Sequence, residues 1–385
     1  MKSPNIRYVP AVDHLRAFAA TLIVFYHGLQ LFGGYFRTGA EDFDGQWIFS
    51  RNPLLTLIEE GHSAVSLFIV MSGFIFTYGA TGREISYRQF ITNRMWRIAP
   101  LFYLVVIFGI HTFEQDFSLL ALVQTLAFLG DLPGALGGGP LLGIAWAIAV
   151  EFRCYLVFPF LFRLGERYGL RYHAGILAVT FGFRTLHFIS FHTVRDLSYM
   201  TIVGRLDQFV IGMAAATLFW RLERHRQALR WSFALAASLA VGWLWWFNQD
   251  GGWQADKLNR IFWPTVEGGV WALVIVTYVA FDRGTGQPAN RLSLLVARLG
   301  QISFSTYLLH FTMISLLMHL KWLVHPSSDP VRNALLCTAL EAWPLTVVVS
   351  IVTYNVIERP FMGFRKRYLA PVPAPAAASA ATREP

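Results

Sequence analysis

The sequence predicts an all-α integral membrane protein with about ten transmembrane helices and a re-entrant or interfacial segment near residues 119–129. Hydrophobic residues make up 55% of the 385-residue chain and charged residues only 14%, against about 25% charged in an average soluble domain. The mean hydropathy is +0.45. A soluble fold of this size could not shield so much apolar surface from water, which excludes a soluble globular protein. Aromatic residues amount to 16%, which excludes a disordered chain.

Ten apolar stretches approach the roughly 20 residues that a helix needs to cross a bilayer. Several of them carry Trp and Tyr at their ends, where aromatic side chains prefer the level of the lipid headgroups. We therefore interpret all ten as transmembrane helices. The predicted spans are 11–33, 63–80, 98–113, 141–162, 174–191, 201–220, 231–247, 261–281, 299–320 and 334–357.

The apolar stretch 119–129 is too short to cross, since 11 residues make a helix of only about 17 Å. If it does not cross, the loops on the side of the N-terminus hold 21 Lys and Arg residues and the opposite loops hold 7. Basic residues concentrate in cytoplasmic loops, so both termini are predicted to be cytoplasmic. A re-entrant segment needs protein or a water cavity around it. The glycine-rich run 134–140 would be a flexible rim for such a cavity.

The remaining composition narrows the function classes. Residues 1–369 are predicted to form one transmembrane domain, and the Pro/Ala-rich tail 370–385 to be disordered and cytoplasmic. The formal net charge of +9 is expected of basic cytoplasmic loops, so the bilayer and not nucleic acid is the expected partner. Cys154 and Cys337 both lie in apolar runs, which excludes a disulfide framework and a cysteine zinc site. We expect no metal site.

Ionisable residues inside the predicted spans are too numerous for a simple membrane anchor. Such residues are costly against lipid, so they usually face the interior of the helix bundle and line functional paths. The sequence therefore predicts a polar interior. Its members are Arg16, His27, Glu151, Arg153, Arg184, His187, Arg205, Asp207, Glu267, His310 and Glu341.

Arg16 and His27 are the most informative pair. They are 11 positions apart, which places them on one helix face and about 16 Å apart along the axis. Arginine suits a phosphate group, and histidine suits proton transfer near neutral pH. The alternative is that Arg16 extends to the interface and that His27 is a buried histidine bonded to a carbonyl.

Arg94 and Arg97 stand at positions i and i+3 before the third predicted span, so they face the same way. Together with Arg83 and Arg88 they form a basic cluster on the predicted cytoplasmic side. The cluster could dock a phosphorylated cytoplasmic donor. On the residues alone, the preferred interpretation is the charge bias of cytoplasmic loops and contact with anionic lipid.

Other polar positions in the spans have structural and functional interpretations. Glu151 lies in mid-span near Trp146 and could orient His27 or hold an arginine. Arg205 and Asp207 open one span, and a structural ion pair is the preferred interpretation of that duo. His310 lies near the middle of the ninth span, where an interior polar group with satisfied hydrogen bonds competes with a catalytic role.

At these positions the chain resembles the membrane-bound acyltransferase 3 family, in its stand-alone form without an esterase-like domain. Six stretches resemble motifs of that family, in the same order and over nearly the whole chain. His14, Ala147 and Cys154 depart from the family pattern, but none of them replaces a motif Arg, His or Glu. The six stretches are Asp13-His14-Leu15-Arg16-Ala17 continuing to His27, Leu67 to Phe74 with Ser72-Gly73-Phe74, Arg94-Met95-Trp96-Arg97 with Pro100, Trp146 to Glu151 with Tyr155 and Pro159, Ser303 to His310, and Glu358-Arg359-Pro360.

The resemblance implies transfer of an acyl group, usually acetyl, from cytoplasmic acyl-CoA to a hydroxyl of a carbohydrate or glycolipid such as O-antigen or exopolysaccharide. Acyl-CoA would be a co-substrate and not a bound cofactor, and the location would be a bacterial-type inner membrane. Catalytic roles would fall to His27 and Glu151, and acyl-CoA binding to Arg16, Arg94 and Arg97. Supporting roles would fall to Asp13, Ser72, Trp146, Arg205, Asp207 and His310.

The chemistry expected of the residues fits this implication. A hydroxyl that attacks a thioester needs a base, and histidine is the usual one. His27 could instead accept the acyl group itself, and the sequence leaves both routes open. A transporter or flippase for a glycolipid or polysaccharide is the alternative function, although no inverted repeat is visible. A membrane sensor without catalysis is a third.

Overall fold

The computed structural model describes residues 5–39, 47–112, 118–132, 143–282 and 284–371. Within these ranges seven helices are long and apolar enough to cross a membrane, or nine if each of two bent helix pairs is one span. The predicted span 261–281 appears as a shorter apolar helix, Trp263–Val279. The chain is therefore an all-α, multi-pass membrane protein, and the prediction of about ten spans is confirmed as an approximate count.

The elements follow the predicted apolar stretches closely. The helices of the bundle are α1 (Pro10–Thr38), α2 (Pro53–Glu59), α3 (Ser63–Ala80), α4 (Tyr87–Thr112), α5 (Leu119–Leu126), α6 (Ala145–Tyr168), α7 (Leu170–Phe191), α8 (Arg195–Met200), α9 (Ile202–Arg221), α10 (Arg226–Trp231), α11 (Phe233–Gln249), α12 (Trp263–Val279), α13 (Arg291–Gln301), α14 (Ser303–Leu320), α15 (Pro330–Cys337), α16 (Trp343–Thr353) and α17 (Arg359–Met362), with strands β1 (Arg83–Ile85) and β2 (Leu369–Pro371).

Helix α1 extends through the centre of the bundle. It begins at Pro10, whose fixed φ angle suits the first helical position, and it ends before Gly39, which is in the left-handed region at φ 74°. Its 29 residues make a helix of about 43 Å, longer than the roughly 30 Å hydrocarbon core of a bilayer. Buried residues occur on it from Pro10 to Gly34, so side chains near both ends of α1 face other helices.

Helices α3 and α9 pack with their backbones in close contact. A Cβ on Gly73 would overlap the carbonyl oxygen of Phe209, and a Cβ on Gly212 would overlap that of Val70. Only glycine allows the two backbones to approach so closely.

Two membrane helices are bent. The pair α13 and α14 turns by 66° at Ile302, and the segment Glu223–Trp231 meets α11 at 58°. The last membrane helix runs from Pro330 to Met362 and contains two π-helical turns, Thr338–Ala342 and Tyr354–Glu358. Such turns often occur at functional sites in helices.

Some predicted boundaries differ from the structure. Helix α4 begins at Tyr87, 11 residues before the predicted span, so Arg94 and Arg97 lie within it. The short segment 119–129 contains an eight-residue helix, Leu119–Leu126, about 12 Å long and too short to cross. The glycine-rich run 134–140 and residues 372–385 of the tail lie outside the described residues.

The strands β1 and β2 bring the C-terminal segment back to the start of the chain. They pair antiparallel, with Glu84 opposite Ala370. The Asn93 side chain on α4 donates to the carbonyl of Lys366 at 2.7 Å. The Asn5 side chain donates to the same carbonyl at 3.1 Å. These bonds hold the segment after α17 against the ends of α1 and α4.

Candidate active site

A cavity of about 250 Å³ lies at the end of the bundle where α1 begins and α3 ends. Its lining extends along α3 from Phe76 inward to Val65, a depth of about 16 Å. The cavity brings together more than half of the site residues expected from the sequence. These are Asp13, Arg16, Ser72, Arg94, Arg97 and Glu151.

Two of the cavity arginines are held by carboxylates. Arg16 pairs with Asp13, one turn earlier on α1, at 3.0 Å. Arg97 pairs with the buried Glu358 at 2.8 Å and donates to the carbonyl of Gln301 at 3.1 Å. That carbonyl lies at the bend between α13 and α14, which leaves it outside the helical hydrogen-bond ladder. These contacts fix both guanidinium groups in the wall.

Three further cavity arginines, Arg7, Arg94 and Arg365, have no carboxylate within ion-pair distance in the described part of the chain. The Arg94 guanidinium lies 4.9 Å from the centre of the Phe76 ring. Burial and the nearby Arg94 and Arg97 lower the pKa of Arg365 to about 10. Positive charges that repel one another at a site favour the binding of an anion there.

Arg365 was missed by the sequence interpretation. It belongs to a run of three basic residues, 365–367, that has the appearance of an ordinary cytoplasmic loop. Only the return of the chain through β2 places it beside Arg94. The motif residue Glu358 was noticed, but its ion pair with Arg97 spans more than 250 positions and has no signal in local spacing.

Glu151 lies in the cavity wall and bonds to two neighbouring side chains. Ser72 donates to its Oε1 at 3.0 Å, and Tyr155, one turn later on α6, donates to the same oxygen. Tyr155 also belonged to the sequence motif. The expected partners of Glu151, His27 or an arginine, are not among the hydrogen bonds and ion pairs of this carboxylate that the structure gives.

His27 and His310 form a buried pair deeper in the bundle. The Nδ1 atom of His27 lies 2.8 Å from Nε2 of His310, and the two ring centres are 4.9 Å apart. Both side chains are buried. His27 and His310 are 283 positions apart in the sequence and meet in the fold. Each is the histidine of a different sequence motif.

The hydrogen bonds of this pair assign its tautomers. Nδ1 of His310 lies 2.6 Å from the carbonyl oxygen of Tyr307. A carbonyl only accepts, so Nδ1 of His310 carries a proton. In the neutral pair Nε2 of His310 then accepts, and Nδ1 of His27 donates to it. This assignment places the lone pair of His27 on Nε2, the arrangement of a general base whose other nitrogen is held by a partner.

Tyr307 lies between the cavity and the histidine pair. It is part of the cavity lining, and its ring centre is 5.8 Å from that of His310. His27 and His310 themselves are not in the cavity lining. A substrate arm that enters from the arginines would therefore meet Tyr307 before it reaches His27.

The expected ion pair between Arg205 and Asp207 is wrong. Asp207 pairs with Arg184 of α7 at 2.5 Å, while Arg205 donates to Ser66 and to Gln208. Residues two positions apart on a helix point about 200° away from each other, so each finds its partner on a different neighbouring helix.

The other expected supporting residues also lie outside the cavity lining. The Arg205 guanidinium is 5.9 Å from the centre of the Trp146 ring, and both belong to the interior next to the cavity. Asp207 holds α7 against α9 through Arg184. These three residues stabilise the packing around the site and do not line it.

The family model for the acyltransferase 3 domain, described as "Acyltransferase domain", matches residues 9–355. The chain belongs to the acyltransferase 3 family. As an acyltransferase 3 protein it is a membrane acyltransferase. The match includes the cavity residues on α1, α3, α4 and α6 and both histidines of the buried pair, whereas Glu358 and Arg365 lie beyond its end. No curated protein and no solved structure matches the chain significantly.

The described residues of this acyltransferase contain no group of three or more His, Cys, Asp or Glu side chains that could hold a metal ion. The chemistry that the site offers is that of guanidinium groups, the two cavity carboxylates Asp13 and Glu151, and an imidazole pair. Guanidinium groups bind phosphate, and imidazole transfers protons.

Proposed function

We propose that this protein transfers an acetyl group from cytoplasmic acetyl-CoA to a hydroxyl of a carbohydrate or glycolipid, such as O-antigen or exopolysaccharide. The proposal rests mainly on one observation. Among the described residues, three arginines of the cavity lack a carboxylate partner, namely Arg7, Arg94 and Arg365. The cavity extends about 16 Å inward along α3, and its lining includes Tyr307, next to the pair of His27 and His310.

The shape of the donor supports this proposal. Coenzyme A carries phosphates at one end and a thioester at the end of a long flexible arm. Arg94 and Arg365 at the mouth offer guanidinium groups to the phosphates, and Arg16 and Arg97 add donors that are already held in place. The apolar inner wall, with Val65 and Phe68, would accommodate the arm.

The orientation in the membrane follows from the charge of the loops. The cavity end of the bundle carries the basic residues of β1, the start of α4 and residues 365–367. Basic loops remain in the cytoplasm, where acetyl-CoA is available. We accordingly place both termini in the cytoplasm, in a bacterial-type inner membrane.

The chemistry would proceed at His27. Its Nε2 lone pair takes the proton of the acceptor hydroxyl, and the oxygen attacks the thioester carbon. The C–S bond then breaks, and the coenzyme A thiolate takes the proton back from His27, so atoms and charge balance. His310 holds His27 in the tautomer that the step requires. In the second route, Nε2 attacks the thioester carbon, the C–S bond breaks, and coenzyme A leaves as the thiolate. The acceptor oxygen then attacks the acyl carbon of the acyl-histidine, the C–N bond breaks, and the hydroxyl proton goes to the thiolate, so atoms and charge balance again.

The donor can be tested with the purified protein. We expect acetyl-CoA to bind, and acetyl-pantetheine, which has the same thioester but lacks the nucleotide phosphates, to bind at least tenfold more weakly. Loss of a charge-assisted hydrogen bond of about 1.5–3 kcal/mol predicts such a ratio. Calorimetric titration of both ligands decides the question. Equal affinities, or no binding of either, would contradict acetyl-CoA as the donor.

A further inference from the structure

A second cluster of buried polar side chains lies at the end of the bundle opposite the mouth of the cavity, where α3 begins. It contains Glu59, Glu60 and His62, with Asn248 and Tyr199 beside them, and all five are buried. Asn248 donates to both carboxylates, at 3.2 and 3.0 Å. His62 Nε2 lies 2.7 Å from Glu60. The sequence motifs did not include any of these residues.

Three polar atoms in this cluster have no hydrogen-bond partner among the described residues. They are Oε1 of Glu59, Nδ1 of His62 and the hydroxyl of Tyr199. Buried polar atoms in native proteins almost always have a partner, and an unsatisfied one costs about 1–3 kcal/mol. The ring centres of His62 and Tyr199 are 5.2 Å apart. Two of the unsatisfied atoms therefore belong to side chains in contact with each other, and Glu59 is linked to the Glu60 partner of His62 through Asn248.

The protonation of two of these groups suits hydrogen bonding to hydroxyls. Burial, with a smaller contribution from Glu60, raises the pKa of Glu59 to about 7. Burial and the nearby Glu267 raise the pKa of Tyr199 well above its usual range. The phenol thus stays a donor, and Glu59 can accept or donate near neutral pH.

A loop segment, residues 250–261, covers the cluster. Trp253 packs on His62 and on Tyr199, with ring centres 5.0 and 4.4 Å apart. Gly252 has a φ of 56° and lies so close to Glu60 that a Cβ there would overlap its carboxylate. The segment is held by Arg260, which donates to the Gly252 carbonyl at 3.2 Å. It contains two short 3-10 helices, Gly252–Gln254 and Leu258–Ile261, and no α-helix.

The cluster is also next to the inner end of the cavity. His62 and the cavity residue Val65 are one helical turn apart, on the same face of α3. Tyr26 links the cluster to the histidine pair. Its ring centre lies 5.7 Å from that of His62 and 4.7 Å from that of His27, the next residue of α1. A hydroxyl bound at His62 would thus approach the site from the side opposite the arginines.

We propose that Glu59, His62 and Tyr199 bind the hydroxyl groups of the acceptor, in a site that the segment 250–261 closes. The ligand class is a carbohydrate ring. Its hydroxyls would pair with the three unsatisfied atoms, and the indole of Trp253 would offer an apolar face to the ring carbons. This inference rests on the proposed function, and it adds the location of the acceptor site.

Tyr199→Phe is the sharpest test, because it removes a hydroxyl that has no partner within the described protein. The assay measures ester-linked label from radioactive acetyl-CoA on the endogenous acceptor of host membrane vesicles. We expect a loss of about fivefold to tenfold in transfer, as for one neutral hydrogen bond. The affinity of the purified protein for acetyl-CoA should stay within twofold, and the Tm should not fall. Glu59→Gln should also lose transfer and keep donor affinity.

Tyr103→Phe is the matched control. Its hydroxyl donates to the carbonyl of Leu126 at 3.1 Å, away from both sites, so this change should lower the Tm and leave transfer unaltered. Wild-type transfer in both Tyr199→Phe and Glu59→Gln would refute the acceptor site. A parallel fall in donor affinity or in Tm would refute it as well, because it would make the cluster structural.

The donor titration separates the two proposals. If the wild type binds acetyl-CoA and transfers label while the cluster variants behave like the wild type, only the acceptor site is wrong. If the wild type neither binds acetyl-CoA nor transfers label, the proposed function is wrong, and the acceptor site falls with it.

Discussion

Replacement of His27 by glutamine isolates the catalytic step. The glutamine amide can still donate a hydrogen bond to Nε2 of His310, which His27 now contacts at 2.8 Å. It has no basic nitrogen, so the proton of the acceptor hydroxyl has no acceptor of suitable pKa. Fold and helix packing should therefore persist while proton transfer is lost.

The expected size of the effect follows from the structure. General-base catalysis typically contributes about 10²–10⁴-fold, so turnover should fall at least about 100-fold. Arg16 lies 11 residues from His27 on α1, about 16 Å along the axis, and Arg94 and Arg365 line the cavity at the same end as Arg16. Donor affinity should therefore change by less than about twofold.

Two measurements on the same preparation check this prediction. Release of coenzyme A thiol with time gives turnover, and calorimetric titration with acetyl-CoA gives affinity. Tyr103→Phe again serves as a control, because the hydrogen bond it removes joins Tyr103 to Leu126 and Tyr103 is not in the cavity lining. If His27→Gln folds and turns over within a few-fold of the wild type, His27 is neither the base nor the acyl carrier.

Three further predictions concern the donor site, the pH dependence of stability and the topology. Arg94→Gln should weaken acetyl-CoA binding about tenfold or more, most strongly at low salt, whereas the exposed Arg88→Gln on the same helix should not; equal titration curves for the two would make Arg94 a topology signal only. The pKa of Glu59 is raised from 4.5 to about 7, so the folded state binds the Glu59 proton more tightly than the unfolded state does. The contribution of this proton to the free energy of unfolding is therefore complete below pH 4.5 and is lost as the pH rises through 7. Thermal unfolding between pH 5 and 8 should show a steeper fall in Tm for the wild type than for Glu59→Gln, and parallel curves would contradict the assignment. A reporter fused after Lys366 should be cytoplasmic and one after Lys321 extracytoplasmic, and the same side for both would overturn the orientation.

Much of the fold could be predicted from the sequence because hydropathy acts locally. An apolar run marks each membrane helix, and stretches with so few charges are stable only in the bilayer or in the interior of the helix bundle. The start of α4 was missed because Arg88, Arg94 and Arg97 lower the hydropathy of its first turns, although the backbone remains helical there. The bend at Ile302 has no proline that would mark it in the sequence.

The site was predictable in its residue types and less so in its contacts. The motif residues Arg94, Glu151 and His310 are each ionisable side chains in or beside an apolar stretch. Their partners come from other helices, and spacing along the chain gives no information about those. The predicted ion pair between Arg205 and Asp207 is the error that results, because residues two positions apart on a helix point in nearly opposite directions. Glu59 was missed because it lies just outside the apolar stretch of α3.

The glycine contact between α3 and α9 bears on how this protein can work. Backbones in contact at Gly73 and Gly212 cannot slide or tilt against each other without a clash, so these two helices form a rigid pair. Helix α3 carries Ser72 in the donor cavity and begins directly after His62. The rigid pair therefore keeps Ser72 and His62 at a fixed distance. Donor and acceptor would have to move through this fixed structure to meet, whereas a transporter of the rocking type needs its two halves to move relative to each other.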